Sequence, residues 1–186
     1  MINMQDKERM LVYKSISYLL TYPRELNAKD VDDYKDALMD LHQHDDGEII
    51  DLTLSFIDDL KSIHPEYYVD LFELSPKCPL YISHYAHEDD MRKRRFMVEV
   101  SQTYKSLGFN LLGGELPDFL PIVTEFLGLS LSRKGKDRRI EFISKYVSPW
   151  VHEMSIRLEK IESPYHKLLR ALDTMVKDEL KMSRTV

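Results

Sequence analysis

The chain carries seven histidines and one cysteine, Cys78, as its most obvious metal ligands. His84 and His87 stand three apart and precede Glu88, Asp89 and Asp90. On a helix, that spacing places two imidazoles on one face, where they could ligate a metal. The same polar run reads more simply as a solvated helix end. His42 and His44, beside Asp40, Asp45 and Asp46, read as a solvated loop. A di-metal site in a helical bundle needs paired Glu-x-x-His motifs. The residue three before each histidine is never glutamate: Met39, Leu41, Lys61, Tyr81, His84, Pro149 and Ser163 hold those positions. A phosphate-cradling glycine loop, a nucleophile-elbow serine and a His-Glu-x-x-His zinc motif are all missing. The residues therefore predict a protein that is not an enzyme and carries no cofactor. A helical metal-binding enzyme is the distant alternative.

Charge excludes a second class. With 26 basic and 32 acidic residues, the net charge is −6, the wrong sign for bulk binding to phosphates. Two basic clusters, Arg92–Arg95 and Arg133, Lys134, Lys136, Arg138 and Arg139, lie close to acids and read as solvated helix faces. The eleven tyrosines and seven phenylalanines are more suggestive. Tyr67, Tyr68, Phe72, Tyr81 and Tyr85 fall in one stretch. Most aromatics belong to a core, but tyrosine, with an apolar body and a polar tip, also suits a groove.

The elements that must position these residues are helical nearly throughout. Val12, Ile16, Leu19 and Leu20 share one face before Pro23, and Val31, Tyr34, Leu38 and Leu41 share another. Ile49 to Ile63 forms a third run, closed by Pro65. Asp46-Gly47 reads as a helix–helix turn, and Leu74–Pro79, with two prolines, as another turn. Leu80 to about Leu107 is predicted helical, with a break near His87 and a stop at Gly108. Gly113-Gly114 forms a loop. Leu116, Phe119, Leu120, Val123, Phe126 and Leu127 then make an apolar face with Pro117 near the first turn. Ile143, Val147, Trp150, Met154, Leu158 and Ile161 continue the pattern, and Pro149 should kink or split that helix. Ser163 is placed to cap the last helix, with Pro164 at its first position. The prediction is an all-α fold: a single bundle-like domain over 1–186 with about eight helices. No apolar run approaches the ~18 residues of a membrane span. Met1–Arg9 lacks the pattern of a signal peptide. Both point to a cytoplasmic protein without membrane insertion.

Three ordered segments resemble one family. They are Gly114-Glu115-Leu116-Pro117-Asp118-Phe119-Leu120-Pro121-Ile122-Val123-Thr124-Glu125-Phe126-Leu127; Tyr68-Val69-Asp70-Leu71-Phe72-Glu73-Leu74-Ser75-Pro76 with Leu80-Tyr81-Ile82; and Glu162-Ser163-Pro164-Tyr165. Together they resemble the NarJ-type nitrate reductase delta subunits, within the TorD- and DmsD-like redox enzyme maturation chaperones. Phe119 is aromatic, as in the NarJ branch, where TorD- and DmsD-like members usually carry histidine. The resemblance implies a helical, non-catalytic chaperone for a molybdopterin-dependent oxidoreductase. Its partner would be the N-terminal segment of that enzyme's catalytic subunit, held until the molybdenum cofactor is inserted. A chaperone for another exported oxidoreductase is the alternative. The implied peptide-binding residues are Tyr81, His84, Glu115, Leu116, Pro117, Asp118 and Phe119. Read from the residues alone, Asp118 could also cap the first turn of the helix that follows it.

Overall fold

The computed structural model describes residues 4–43, 47–74, 78–132 and 134–184. These residues form ten α-helical segments: α1 (Asp6–Leu19), α2 (Ala28–His42), α3 (Glu48–Leu60), α4 (Pro65–Phe72), α5 (Ser83–Ala86), α6 (Asp90–Ser106), α7 (Leu120–Ser130), α8 (Lys136–Phe142), α9 (Ser148–Lys160) and α10 (His166–Ser183). Among the described residues there is no strand, and one isolated antiparallel bridge joins Tyr81 to Phe119. The fold is all-α, as the periodicity predicts.

The packing follows the apolar stripes. Val12, Ile16 and Leu19 of α1 are fully buried, and α1 lies chiefly against α7. The middle of α7 has little choice: Val123, Phe126, Leu127 and even Gly128 are buried. A Cβ at Gly128 would sit 3.0 Å from the Tyr13 Cβ, so glycine lets the two helices approach. α10 packs between α3 and α9, burying Leu168, Leu169, Leu172 and Val176.

Several boundaries match the sequence and several do not. The break near His87 is real: His87 is extended, and Asp89 caps α6 by accepting the Arg92 N–H at 2.9 Å. Gly108 ends α6 with φ +84°, a left-handed conformation that suits glycine. Pro149 splits its helix: a π turn spans Ile143–Val147, and α9 restarts with the proline in its first turn. By contrast, α7 begins at Leu120, three residues beyond Pro117, and it is Pro121 that occupies the first turn. The helix predicted from Leu80 begins only at Ser83, with Ile82 as its N-cap, because the Leu80 carbonyl and the Ile82 N–H are engaged by Leu120 and Asp118. Ser163 does not cap α10. That helix starts at His166, and the buried Ser163 hydroxyl has no partner. Asp46 of the predicted Asp-Gly turn lies outside the described residues, and Gly47 is the N-cap of α3.

Arg139 is the largest departure. Its cluster reads as solvated, yet the side chain is buried. It pairs with the carboxylate of Glu179 and donates to the Leu127 carbonyl at 2.7 Å and the Ser130 hydroxyl at 3.0 Å. The Tyr13 hydroxyl donates to the same Glu179 at 2.5 Å. A buried guanidinium is tolerated when its donors are satisfied in this way. This network ties α1, α7, α8 and α10 together.

Candidate functional site

The segment 116–120 lies against 80–82. Leu120 N–H donates to the Leu80 carbonyl at 2.7 Å, and Ile82 N–H donates to the Asp118 carbonyl at 3.1 Å. The loop is fastened from the other side by the Tyr104 hydroxyl, which donates to the Pro117 carbonyl at 2.7 Å. The Phe119 N–H closes a tight turn onto the Leu116 carbonyl at 3.1 Å.

Asp118 is completely buried. Its Oδ2 accepts the Ser83 N–H at 2.9 Å, while its Oδ1 has no partner. It therefore caps α5, the single turn that follows the bridged Tyr81, and not its own helix. The N-cap of α7 is Phe119, with no side-chain hydrogen bond. Asp118 thus fixes the 80–86 segment from below and does not reach the surface.

The pairing sets the Tyr81 and Phe119 rings side by side, with centroids 5.1 Å apart. The Tyr81 hydroxyl donates to Glu115 Oε2 at 3.2 Å. Burial, and then the adjacent Glu115 carboxylate, push the Tyr81 phenol up to about 12. These three residues form one wall of a cavity of about 230 Å³. The cavity is also lined by Tyr22 and Glu25, beside and in the 3₁₀ turn Pro23–Glu25, and by Glu73 at the end of α4. Tyr68 and Phe72 form the floor. They are buried, stack edge to face with centroids 4.8 Å apart, and both touch Tyr165. The Tyr68 hydroxyl donates to the Leu20 carbonyl at 3.1 Å, which satisfies its polar tip.

Tyr81, Glu115 and Phe119 are thus brought together. Leu116 is 46% exposed beside them, and Pro117 is half-buried in the turn. His84 is exposed on α5 and does not line the cavity. Tyr22, Glu25 and Glu73 were not expected from the sequence. Glu73 falls within a recognised segment, but nothing in one sequence links Glu25 to Glu115, ninety residues away.

The chemistry on offer is recognition. Three carboxylates, Glu25, Glu73 and Glu115, rim an aromatic floor, and none forms an ion pair with a described cation. Such a rim favours cations, and the tyrosine faces add cation–π attraction. Among the described residues, no three His, Cys, Asp or Glu side chains come together as a metal site. No helix there is long and apolar enough to cross a membrane.

The family model for the nitrate reductase delta subunit matches residues 52–155, more than half of the chain. The chain belongs to that family. It is 27% identical over 173 residues to the probable nitrate reductase molybdenum cofactor assembly chaperone NarJ of Bacillus subtilis (strain 168), covering 91% of this chain and 90% of that one. It is 24% identical over 163 residues to the probable nitrate reductase molybdenum cofactor assembly chaperone NarW of Escherichia coli (strain K12), covering 88% and 67%. A stretch of 120 residues is 33% identical to the nitrate reductase-like protein NarX of Mycobacterium tuberculosis (strain ATCC 25618 / H37Rv), covering 62% of this chain and 17% of that one.

Proposed function

We propose that this protein is a dedicated, non-catalytic assembly chaperone for a nitrate reductase-like molybdenum enzyme. It works in the cytoplasm as one unit over 1–186 and binds the N-terminal segment of the catalytic subunit. The observation that carries the reading is the aromatic, acid-rimmed groove built by the family's most recognisable segment. Two relatives named as assembly chaperones align over most of this chain, which supports the same role.

In this reading the segment docks with an apolar face on Tyr81, Phe119 and the Tyr68–Phe72 floor, and Leu116 extends that surface at the rim. A basic residue of the segment sits among Glu25, Glu73 and Glu115. Asp118 and Pro117 position the wall rather than touch the ligand, and His84 flanks it on α5. A short segment buries less than about 1,200 Å², so affinity is moderate and release is possible. That suits a chaperone that must let go once its client is complete.

Calorimetry with a synthetic peptide of the client's N-terminus tests the proposal, alongside co-purification of the full catalytic subunit. One-to-one binding that weakens in Tyr81→Ala and Phe119→Ala is expected. Absence of binding to both the peptide and the full subunit would overturn it.

A further inference from the structure

A second cavity, of about 470 Å³, opens between α6 and the π turn–α9 junction. Its character is the reverse of the groove. Arg92, Arg95, Phe96 and Glu99 line one side, at the helical spacing that puts them on a single face of α6. Lys145, Tyr146 and Trp150 line the other. Phe96 and Tyr146 are buried, with ring centroids 5.3 Å apart. The three cations stand at the mouth, with side chains 75%, 84% and 57% exposed for Arg92, Arg95 and Lys145.

The two arginines have only exposed ion-pair partners, whereas Lys145 also donates to the Tyr146 hydroxyl at 2.7 Å, which in turn donates to Glu99 at 2.6 Å. Arg92 meets Asp89 at 3.1 Å, while Arg95 and Lys145 share Glu99 at 3.5 and 3.2 Å. Exposed ion pairs of this kind contribute little, so they leave the guanidinium groups available to an incoming anion. Arginine takes phosphate or carboxylate through two parallel N–H donors. Two further features point to a ligand. The Trp150 indole N–H is buried without an acceptor, and unsatisfied buried donors are uncommon in folded proteins. The π turn over Ile143–Val147 carries Lys145 and Tyr146, and such turns recur at functional sites. The cavity's size is that of small-molecule sites.

We propose that this cavity binds a small anion bearing a flat ring. Its phosphate or carboxylate is held by Arg92, Arg95 and Lys145, and its ring lies against Phe96, Tyr146 and Trp150. The site is separate from the peptide groove and stands whether or not the client reading holds.

Trp150 is the sole tryptophan, so its indole N–H gives one assignable cross-peak in a nitrogen-15 correlation spectrum. The full-length protein is titrated with phenyl phosphate and, in parallel, with 3-phenylpropionate. Inorganic phosphate and benzyl alcohol serve as comparators. Saturable movement of the indole peak in the millimolar range is expected for at least one aryl anion, and the tighter of the two identifies the anionic group. The comparators should bind at least about tenfold more weakly, as should the Arg92→Gln/Arg95→Gln variant. If that variant's spectrum shows unfolding, Lys145→Gln takes its place. No saturation by either aryl anion would overturn the proposal. Equal binding of a comparator, or undiminished binding by the folded variant, would overturn it too.

Discussion

Replacing Asp118 by alanine separates a positioning role from a binding one. The carboxylate makes one hydrogen bond, from the Ser83 N–H at 2.9 Å, and its second oxygen is buried without a partner. A hydrogen bond to a charged group contributes about 1.5–3 kcal/mol. Ser83 is itself buried, so its N–H would be left without an acceptor. Against this, the variant no longer buries an unpartnered oxygen. The balance is a loss of about 1–3 kcal/mol. For a chain of this length each kcal/mol moves Tm by roughly 2–4 °C, so a central value of about 2 kcal/mol lowers it by roughly 4–8 °C. Asp118→Asn keeps an acceptor for Ser83 and should lose less than about 1 kcal/mol. Urea unfolding measures both variants, with stability read from the midpoint at constant slope. Calorimetry then measures binding of the client's N-terminal peptide. The asparagine variant should bind as the parent does, and the alanine variant only modestly less well, through a displaced Tyr81. An alanine variant of undiminished stability that no longer binds the peptide would refute this reasoning. The carboxylate would then be meeting the segment directly.

Glu25→Gln, Glu73→Gln and Glu115→Gln should each slow association and flatten its dependence on salt, while Phe119→Ala should mainly speed dissociation; stopped-flow measurements at two ionic strengths would show it. Arg139→Ala leaves Glu179 buried without its cation and should cost about 3–5 kcal/mol, measured by urea unfolding. Burial raises the phenols of Tyr13, Tyr68, Tyr85, Tyr104 and Tyr165 well above their usual value, and Tyr81 to about 12. The unfolded chain therefore releases these protons first, so stability is intact below about pH 10 and falls as pH rises through that value. Absorbance at 295 nm should show these tyrosines ionising together with loss of helix; independent ionisation in a folded protein would contradict it.

The helices were legible because burial on one face leaves a period of 3.6 in the sequence, as at Val12, Ile16 and Leu19 or at Leu168, Leu172 and Met175. Tyr81 and Phe119 form an isolated bridge in stretches too short to show any period. Their pairing depends on two backbone bonds between residues far apart in the chain. Pro117 and Pro121 both suit a helix start, and local chemistry does not choose between them. Tertiary context does, because the backbone of 118–120 is already committed to 80–82. Arg139 looked like a surface residue because its partner, Glu179, lies forty positions away. At the site, Tyr81, Glu115 and Phe119 came from a recognised sequence signature, whereas Glu25 and Tyr22 had no local mark.

If the groove takes the client segment as proposed, its architecture would make one surface both specific and releasing. Its floor is preformed: Tyr68 is anchored to the Leu20 carbonyl, and Tyr165 wedges against Phe56, Phe72 and Tyr68. A bound segment therefore does not have to order these rings, and that is where an apolar anchor gains most. The rim is different in kind. Glu25, Glu73 and Glu115 are exposed, so their attraction for a cation is screened and contributes more to encounter and selection than to residence. The wall between them is a loop, fastened by the buried Asp118 carboxylate, the Tyr104 hydroxyl and two backbone bonds to 80–82, and it ends at the N-cap of α7. Selection at an exposed rim and anchoring on a rigid floor together favour a ligand that is chosen by charge, held by a few rings and then released.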